Sequence, residues 1–304
     1  MRIPDESLVE LDTQGFTIVE GVLSAEEVAA ARAGVWYHHP HPDAFFADPD
    51  AHPHLAASGF AGISTAFPFA EWDLTRLCFH PDVVDAVGRY LGTDDLALYK
   101  VELWAKYAGA TDYEQVHHRD FANHTLVVPR SDGFARQITT FTLLSDVTEA
   151  DAPTKIVPLE HSAHIPIVLD PADRDRQERI TALRWGELFD VEVPVVGPAG
   201  TVLLYRTDVF HRASGFTEPG RSRFTLLLDY EARGPSWTGK VAWPNHANSG
   251  AWHDAMARMT VRERDLFGFP KPGDRYWNAE TLAAVAARYP GMDMNPYREA
   301  TPGS

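Results

Sequence analysis

The chain has 304 residues, 44% hydrophobic and 23% charged, the balance of an ordinary globular protein able to bury a sizeable core. Its 27 basic residues against 43 acidic ones leave a formal charge of -16, which repels nucleic-acid backbones and anionic membrane surfaces. The lone Cys78, in apolar "RLCFH", excludes an internal disulfide and reads as a core thiol, and no basic-then-apolar leader or membrane-length apolar run is present, so we expect a cytoplasmic protein.

In chain order, "GFTIVE" reads as a short strand, and "LSAEEVAAARAGVWY" as a helix opened by a capping box of Ser24 and Glu27. The Pro, Asp and His of "HHPHPDAFFADPDAHPH" predict a loop with solvated histidines (His38, His39, His41, His52, His54), a candidate lid; "HPDVVDAVGRYLG" predicts a helix ended by Gly92. From Ala97 the texture changes. "ALYKVELWAKY", "HTLVVP", "RQITTFTLLSDV", "TKIVPL", "VEVPVV", "TVLLYR" and "RFTLLLDY" are short, rich in β-branched and aromatic residues, and separated by turn signals. Such a series predicts a mainly β sandwich or barrel of the jelly-roll kind. Two helices are expected in the tail, "TVRERDLFGF" with Thr260 and Glu263 in capping-box spacing, and "AETLAAVAARY", packed on the outside of the barrel. With no linker in the strand region, the expectation is one domain: helical residues 1–96, a barrel core of about 97–230, and a helical extension over 231–304.

The densest chemistry lies in "EQVHHRDFANH". In an extended segment residues two apart share a face, so His118 and Asp120 can bind one ion together while His117 and Arg119 turn away. His211 in "TDVFHRASGF", 91 residues after Asp120, supplies a third ligand. Two histidines and one carboxylate form the facial triad that leaves coordination positions open on iron(II), as oxygen chemistry requires. Beyond it, "GRSRFTLLLDY" offers Arg221 and Arg223, either of which could present a two-donor fork to a carboxylate; alternation alone does not choose between them. His117 is expected at the surface or behind the ion, His161 in structural packing, and Trp36, Trp72 and Trp104 in the core. Walker-A, G-x-G-x-x-G, G-x-S-x-G and H-E-x-x-H patterns are absent from the sequence.

"DTQGFTIVEGVLSAEEVAAAR" resembles the opening of the phytanoyl-CoA dioxygenase-like iron(II)/2-oxoglutarate oxygenases, and "LLSDVTEADAPTKIVPLEHS" resembles that family's central segment; the resemblance runs from about Leu11 to Tyr230. It implies a double-stranded β-helix (cupin-like), with iron(II), 2-oxoglutarate as cosubstrate and O2. His118, Asp120 and His211 match its three metal ligands. Counting back from Tyr230 matches the 2-oxoglutarate arginine to Arg223, and Gln115 and Thr154 match further cosubstrate contacts. Ala152-Pro153 stands where Asn-Gly is common, and Leu159-Glu160 where Gly-Ser precedes the histidine, so a loop beside the site departs from the family pattern. Because Asp120 is kept where halogenating relatives lack the carboxylate, the resemblance implies hydroxylation of a small molecule. Two rivals stand beside it: a cupin-like metal enzyme without 2-oxoglutarate, such as an isomerase, which the arginine argues against, and a silent binding protein, which the complete triad argues against.

Overall fold

The computed structural model describes residues 1–66, 69, 71–130, 132–133, 136–168, 184–232, 248, 253, 256–261, 264 and 269–301. Its strands are β1 (Phe16–Val19), β2 (Ile63–Ser64), β3 (Leu96–Tyr107), β4 (Gln137–Leu143), β5 (Thr154–Ile156), β6 (Val193–Pro194), β7 (Val202–Arg206), β8 (His211–Ala213) and β9 (Ser222–Ala232). They form two antiparallel sheets, one of six strands in the order β1-β7-β4-β9-β3-β2 and one of three in the order β6-β5-β8.

Alternation along β3 and β9 explains how the large sheet is used. Leu103, Ala105 and Tyr107 of β3, with Phe224, Leu226, Leu228 and Tyr230 of β9, share a buried cluster with Val28, Val35, Leu74, Val83 and Val87 from the N-terminal helices. The opposite parity, beside Trp104 and Leu227, carries buried polar and charged groups: Lys100, Glu102 and Lys106 of β3, and Arg223, Thr225 and Asp229 of β9. Register sets Lys106 opposite Arg223 and Lys100 opposite Asp229. A sheet buried on both faces whose inner face carries charge reserves that face for something other than packing. Between the sheets, Phe141, Leu203, Tyr205 and Leu227 of the large sheet meet Ile156 of β5 and Val195.

The helix Ala25–His38 begins on the expected capping box, with the Ser24 Oγ accepting from the Glu27 N–H at 3.2 Å and the Glu27 carboxylate accepting from the Ser24 N–H at 2.9 Å. The helix Pro81–Leu91 ends on Gly92 in the left-handed conformation, as expected, and Cys78 is fully buried. A first helix, Asp5–Gln14, was not anticipated; it stops at Gly15, whose φ of 87° and whose close approach to Val209 and Leu159 leave no room for a Cβ.

Several expectations need correction. The 38–54 region is not a plain loop: Pro42–Ala47 is helical, opened by a proline in its first turn and by His41 Nδ1 accepting from the Asp43 N–H, and 3-10 turns follow over Pro49–Ala51 and Pro53–Ala56. Buried Phe45 and Leu55 anchor it. "HTLVVP" forms no strand although Leu126, Val127 and Val128 are buried. Its backbone finds side-chain partners instead: Arg288 donates to the carbonyls of Thr125 and Val127, Tyr289 to that of Leu126, and the Tyr276 hydroxyl serves both the N–H and the C=O of Val128. The tail therefore packs on this segment, just after Asp120, with the helix Ala279–Arg288 supplying Leu282 and Val285 to the shared cluster. The other expected tail helix, from Thr260 and Glu263, lies largely outside the described residues. Trp72 is 68% exposed rather than core. No helix among the described residues is long and apolar enough to cross a membrane.

Candidate metal centre and pocket

His118 and Asp120 lie on the segment leading out of β3, and His211, shortly after β7, is the first residue of β8. An isolated antiparallel bridge joins the two segments: the His118 N–H donates to the His211 carbonyl and the His211 N–H to the His118 carbonyl, each at 3.0 Å. The ring centroids of the two histidines are 4.4 Å apart, and one ligand atom from each of His118, Asp120 and His211 falls within 4.8 Å of the others.

The side chains are turned for ligation. Each imidazole donates its Nδ1–H to a carbonyl two residues before it, His118 to Val116 and His211 to Val209, both at 3.2 Å, which leaves each Nε2 lone pair facing the centre. Asp120 Oδ1 lies 3.8 Å from His118 Nε2 and 3.4 Å from His211 Nε2, while Oδ2 accepts a 2.7 Å hydrogen bond from the Tyr205 hydroxyl. Burial pushes the Asp120 carboxyl up, but His124, His211 and Lys100 outweigh it and hold the group well below the usual range. Burial, with His211 beside it, pulls His118 down to about 4, so it is neutral at pH 7. Burial also lowers His211, but the Asp120 carboxylate more than offsets this and its pKa rises. Two neutral-capable nitrogens and one carboxylate oxygen facing one point suit a divalent transition metal.

A cavity of about 360 Å³ opens on this group, and Gln115, Thr154 and Arg223 are among the residues that line it. Arg223 is 3% exposed; it donates through Nη1 to the Ala152 carbonyl, and its Nε–H is buried without a partner. Burial lowers its guanidinium to about 10, with Tyr113 and Asp151 pulling the other way. Arg221, by contrast, has a side chain 41% exposed and pairs with Glu218 and Asp151; of the two arginines, Arg223 is the one that lines the cavity. Gln115 Oε1 accepts from the Ala213 N–H at 3.2 Å, leaving its amide N–H groups to donate.

Much of the pocket was not foreseen. His124 lies 3.5 Å from Asp120, 3.3 Å from Lys100 and 3.4 Å from Asp229. Lys100 Nζ reaches Asp229 at 3.1 Å and Glu102 at 3.5 Å, so a buried charged cluster adjoins the triad. The period-2 pattern of β3 puts Lys100 and Glu102 on one face, but nothing in the sequence says that this face is the inside. Trp104 lines the cavity and is not purely core. Phe60 and Ile63 reach it from the end of the His-rich region, because Gly62 lets that segment press against β3, the Ala105 N–H donating to the Gly62 carbonyl at 2.8 Å. None of the five histidines expected in the candidate lid lines the cavity, and His39 is buried. His161 has a side chain 43% exposed beside Glu160, not packed.

His117 turns away from the triad, as its parity required, but it is buried, not at the surface. Its Nε2 meets Glu192 at 3.0 Å, and Arg212 grips the same carboxylate through two bonds of 2.7 Å. Burial would raise the Glu192 carboxyl, yet hydrogen bonds from His117 and Arg212 and the Arg212 charge bring it down to about 2. A carboxyl depressed on folding adds stability that is complete above its unfolded value and is lost as pH falls through the folded one. Glu192→Gln is therefore expected to lower the urea midpoint at pH 7, and the gap from the parent should close as pH falls from about 4.5 toward about 2. A gap that stays constant over that range would show that the carboxylate charge contributes nothing.

Residues 11–224 match the family described as phytanoyl-CoA dioxygenase (PhyH). The chain belongs to this family. Comparison with curated proteins gives no match. Among solved structures the chain is similar to the epimerase SnoN in complex with Fe3+, alpha ketoglutarate and nogalamycin RO, at 21% identity over 75% of this chain and 82% of that one, with a TM-score of 0.55. It is similar also to the non-heme alpha ketoglutarate dependent carbocyclase SnoK from nogalamycin biosynthesis (19% identity, 80% and 89% covered, TM-score 0.54). A third is HygX from Streptomyces hygroscopicus with nickel and 2-oxoglutarate bound (19%, 77% and 88%, TM-score 0.54). At this identity the likeness is one of fold. Ala152 adopts the left-handed conformation, φ 52°, that Asn and Gly take readily. The turn presents the Ala152 carbonyl to Arg223 at a backbone strain of about 1–2 kcal/mol.

Proposed function

We propose that this protein binds iron(II) through His118, Asp120 and His211, binds 2-oxoglutarate through Arg223 with Gln115 and Thr154, and uses O2 to hydroxylate an unactivated C–H bond of a small molecule, with release of succinate and CO2. The observation that carries this reading is a single cavity lined by both an open-faced His-Asp-His group and a buried guanidinium with an unused N–H. Membership of the phytanoyl-CoA dioxygenase family supports it, as do similar folds crystallised with iron or nickel and the keto acid. The two sheets are read as a double-stranded β-helix, and residues 1–304 as one domain whose helical parts, about 1–96 and 231–304, flank the core.

When bound, iron and 2-oxoglutarate supply the oxidative decarboxylation and the C–H oxidation. The protein's own part is positioning. Carbonyls of Val116 and Val209 hold the two imidazoles by their Nδ1–H groups, and the Tyr205 hydroxyl fixes one oxygen of Asp120 so that the other faces the imidazoles. Arg223 offers a charge-assisted donor to a carboxylate, and Gln115 and Thr154 offer neutral donors. Phe60, Trp104, Phe141 and Leu227 supply apolar wall that excludes water, while Lys100, Glu102 and His124 give the same cavity a hydrogen-bonding side. This mixture suits a small metabolite or natural-product intermediate and neither a nucleic acid nor a membrane lipid.

The reading is tested by screening small molecules for those that accelerate succinate release, followed by mass analysis of the product. A gain of one oxygen is expected. A product isomeric with its substrate, or one lighter by two hydrogens, would keep the cosubstrate assignment but replace hydroxylation by epimerisation or by desaturation or ring closure. Absence of 2-oxoglutarate consumption with every compound would favour the cupin-like alternative.

A further inference from the structure

The cavity holds a second orphaned donor besides Arg223. Tyr113 lines it, and the Tyr113 hydroxyl is buried with no hydrogen-bond partner. A buried hydroxyl without an acceptor loses about 1–3 kcal/mol of hydrogen bonding, so in a native fold it marks a place where something else binds. Tyr113 and Arg223 lie within each other's electrostatic reach, since each perturbs the other's ionisation. Burial raises the phenol further from ionisation, which keeps it a donor.

Considerable structure is devoted to holding this ring. Lys106, 1% exposed and opposite Arg223 in the β3–β9 register, places its ammonium 4.3 Å from the centre of the Tyr113 ring. The same ammonium donates to the Tyr113 carbonyl at 2.9 Å and to the Ser214 carbonyl at 2.7 Å. These carbonyls belong to the two segments that carry His118 and His211, which are also tied by the Gln115 N–H to the Ala213 carbonyl at 3.0 Å. Phe60 also packs on the ring, with ring centroids 4.6 Å apart. Lys106 is spent on this clamp and is not itself at the cavity wall, so the polar atom delivered into the cavity is the Tyr113 hydroxyl. Among the described residues no carboxylate forms an ion pair with Arg223, so two donors, one charged and one neutral, stand at the cavity without the acceptor they fit.

We propose that Tyr113 is a second cosubstrate-binding residue, its hydroxyl donating to the same far carboxylate of 2-oxoglutarate that Arg223 receives. This rests on the cosubstrate reading above. The pairing of a phenol with a guanidinium explains how the site selects a five-carbon keto diacid over a keto monoacid: a dicarboxylate satisfies both donors, and a monoacid leaves both unmet.

The test compares the nickel-loaded parent with nickel-loaded Tyr113→Phe in calorimetric titrations of 2-oxoglutarate and of 2-oxopentanoate, which lacks the far carboxylate. Phenylalanine keeps the ring, its contact with Phe60 and its place over Lys106, and an unchanged thermal melt checks that it does. The expected result is a rise of about tenfold in the dissociation constant for 2-oxoglutarate, with that for 2-oxopentanoate unchanged. If Tyr113→Phe binds 2-oxoglutarate as the parent does, or weakens both keto acids by the same factor, the hydroxyl does not meet the far carboxylate and the inference is overturned. A parent that itself fails to prefer 2-oxoglutarate over 2-oxopentanoate would overturn the cosubstrate reading, and this inference with it.

Discussion

His211→Ala is expected to abolish 2-oxoglutarate turnover and tight metal binding while the protein still melts cooperatively. His211 opens β8, but its strand and bridge hydrogen bonds are made by backbone atoms that alanine keeps. What alanine removes is an imidazole aimed at the Asp120 carboxylate, 3.4 Å away, and with it a third of the donor set. Groups that only support a metal ligand are worth roughly 10–100-fold in affinity, and loss of a ligand itself should exceed that. Metal analysis after dialysis and a thermal melt decide between the possibilities. Loss of the cooperative transition would make His211 structural. His117→Ala is the matched control: its partner is Glu192, so it should lower stability yet keep metal affinity close to the parent's.

Arg223→Leu should raise the 2-oxoglutarate requirement by about tenfold or more with iron affinity little changed, because a charge-assisted fork to a carboxylate is worth roughly 1.5–3 kcal/mol. Lysine at this position should recover only part of the loss, since a point charge does not reproduce two parallel bonds. Arg221→Leu should be mild, as that side chain is half in solvent and held by Glu218 and Asp151. Apparent 2-oxoglutarate affinity for the three variants is the measurement. An Arg221 variant crippled while the Arg223 variant behaves as the parent would mean that the register drawn from Tyr230 is off by two residues.

The triad was legible because it is written in local terms. His118-x-Asp120 shares a face in extended chain, and β8 needed only to bring one histidine beside it. Most strands were legible from their β-branched and aromatic content, and the helix Ala25–His38 from its capping box. Where a reading failed, long-range contacts had replaced local ones. "HTLVVP" has the composition of a strand, but Arg288, Tyr289 and Tyr276, some 150 residues away in sequence, satisfy its backbone. The Lys100–Asp229–His124 cluster depends on which face of β3 turns inward, a matter settled by the N-terminal helices covering the other face. Tyr113 and Phe60 are not legible in the sequence, because an aromatic residue in a loop carries no local mark of the cavity it lines.

The most direct test of the central claim is an anaerobic optical titration of the purified protein with iron(II) and 2-oxoglutarate. The account expects a visible charge-transfer band that grows to one equivalent of each and is lost in the His211→Ala variant. A folded, iron-loaded protein that gains no such band when 2-oxoglutarate is added would contradict it.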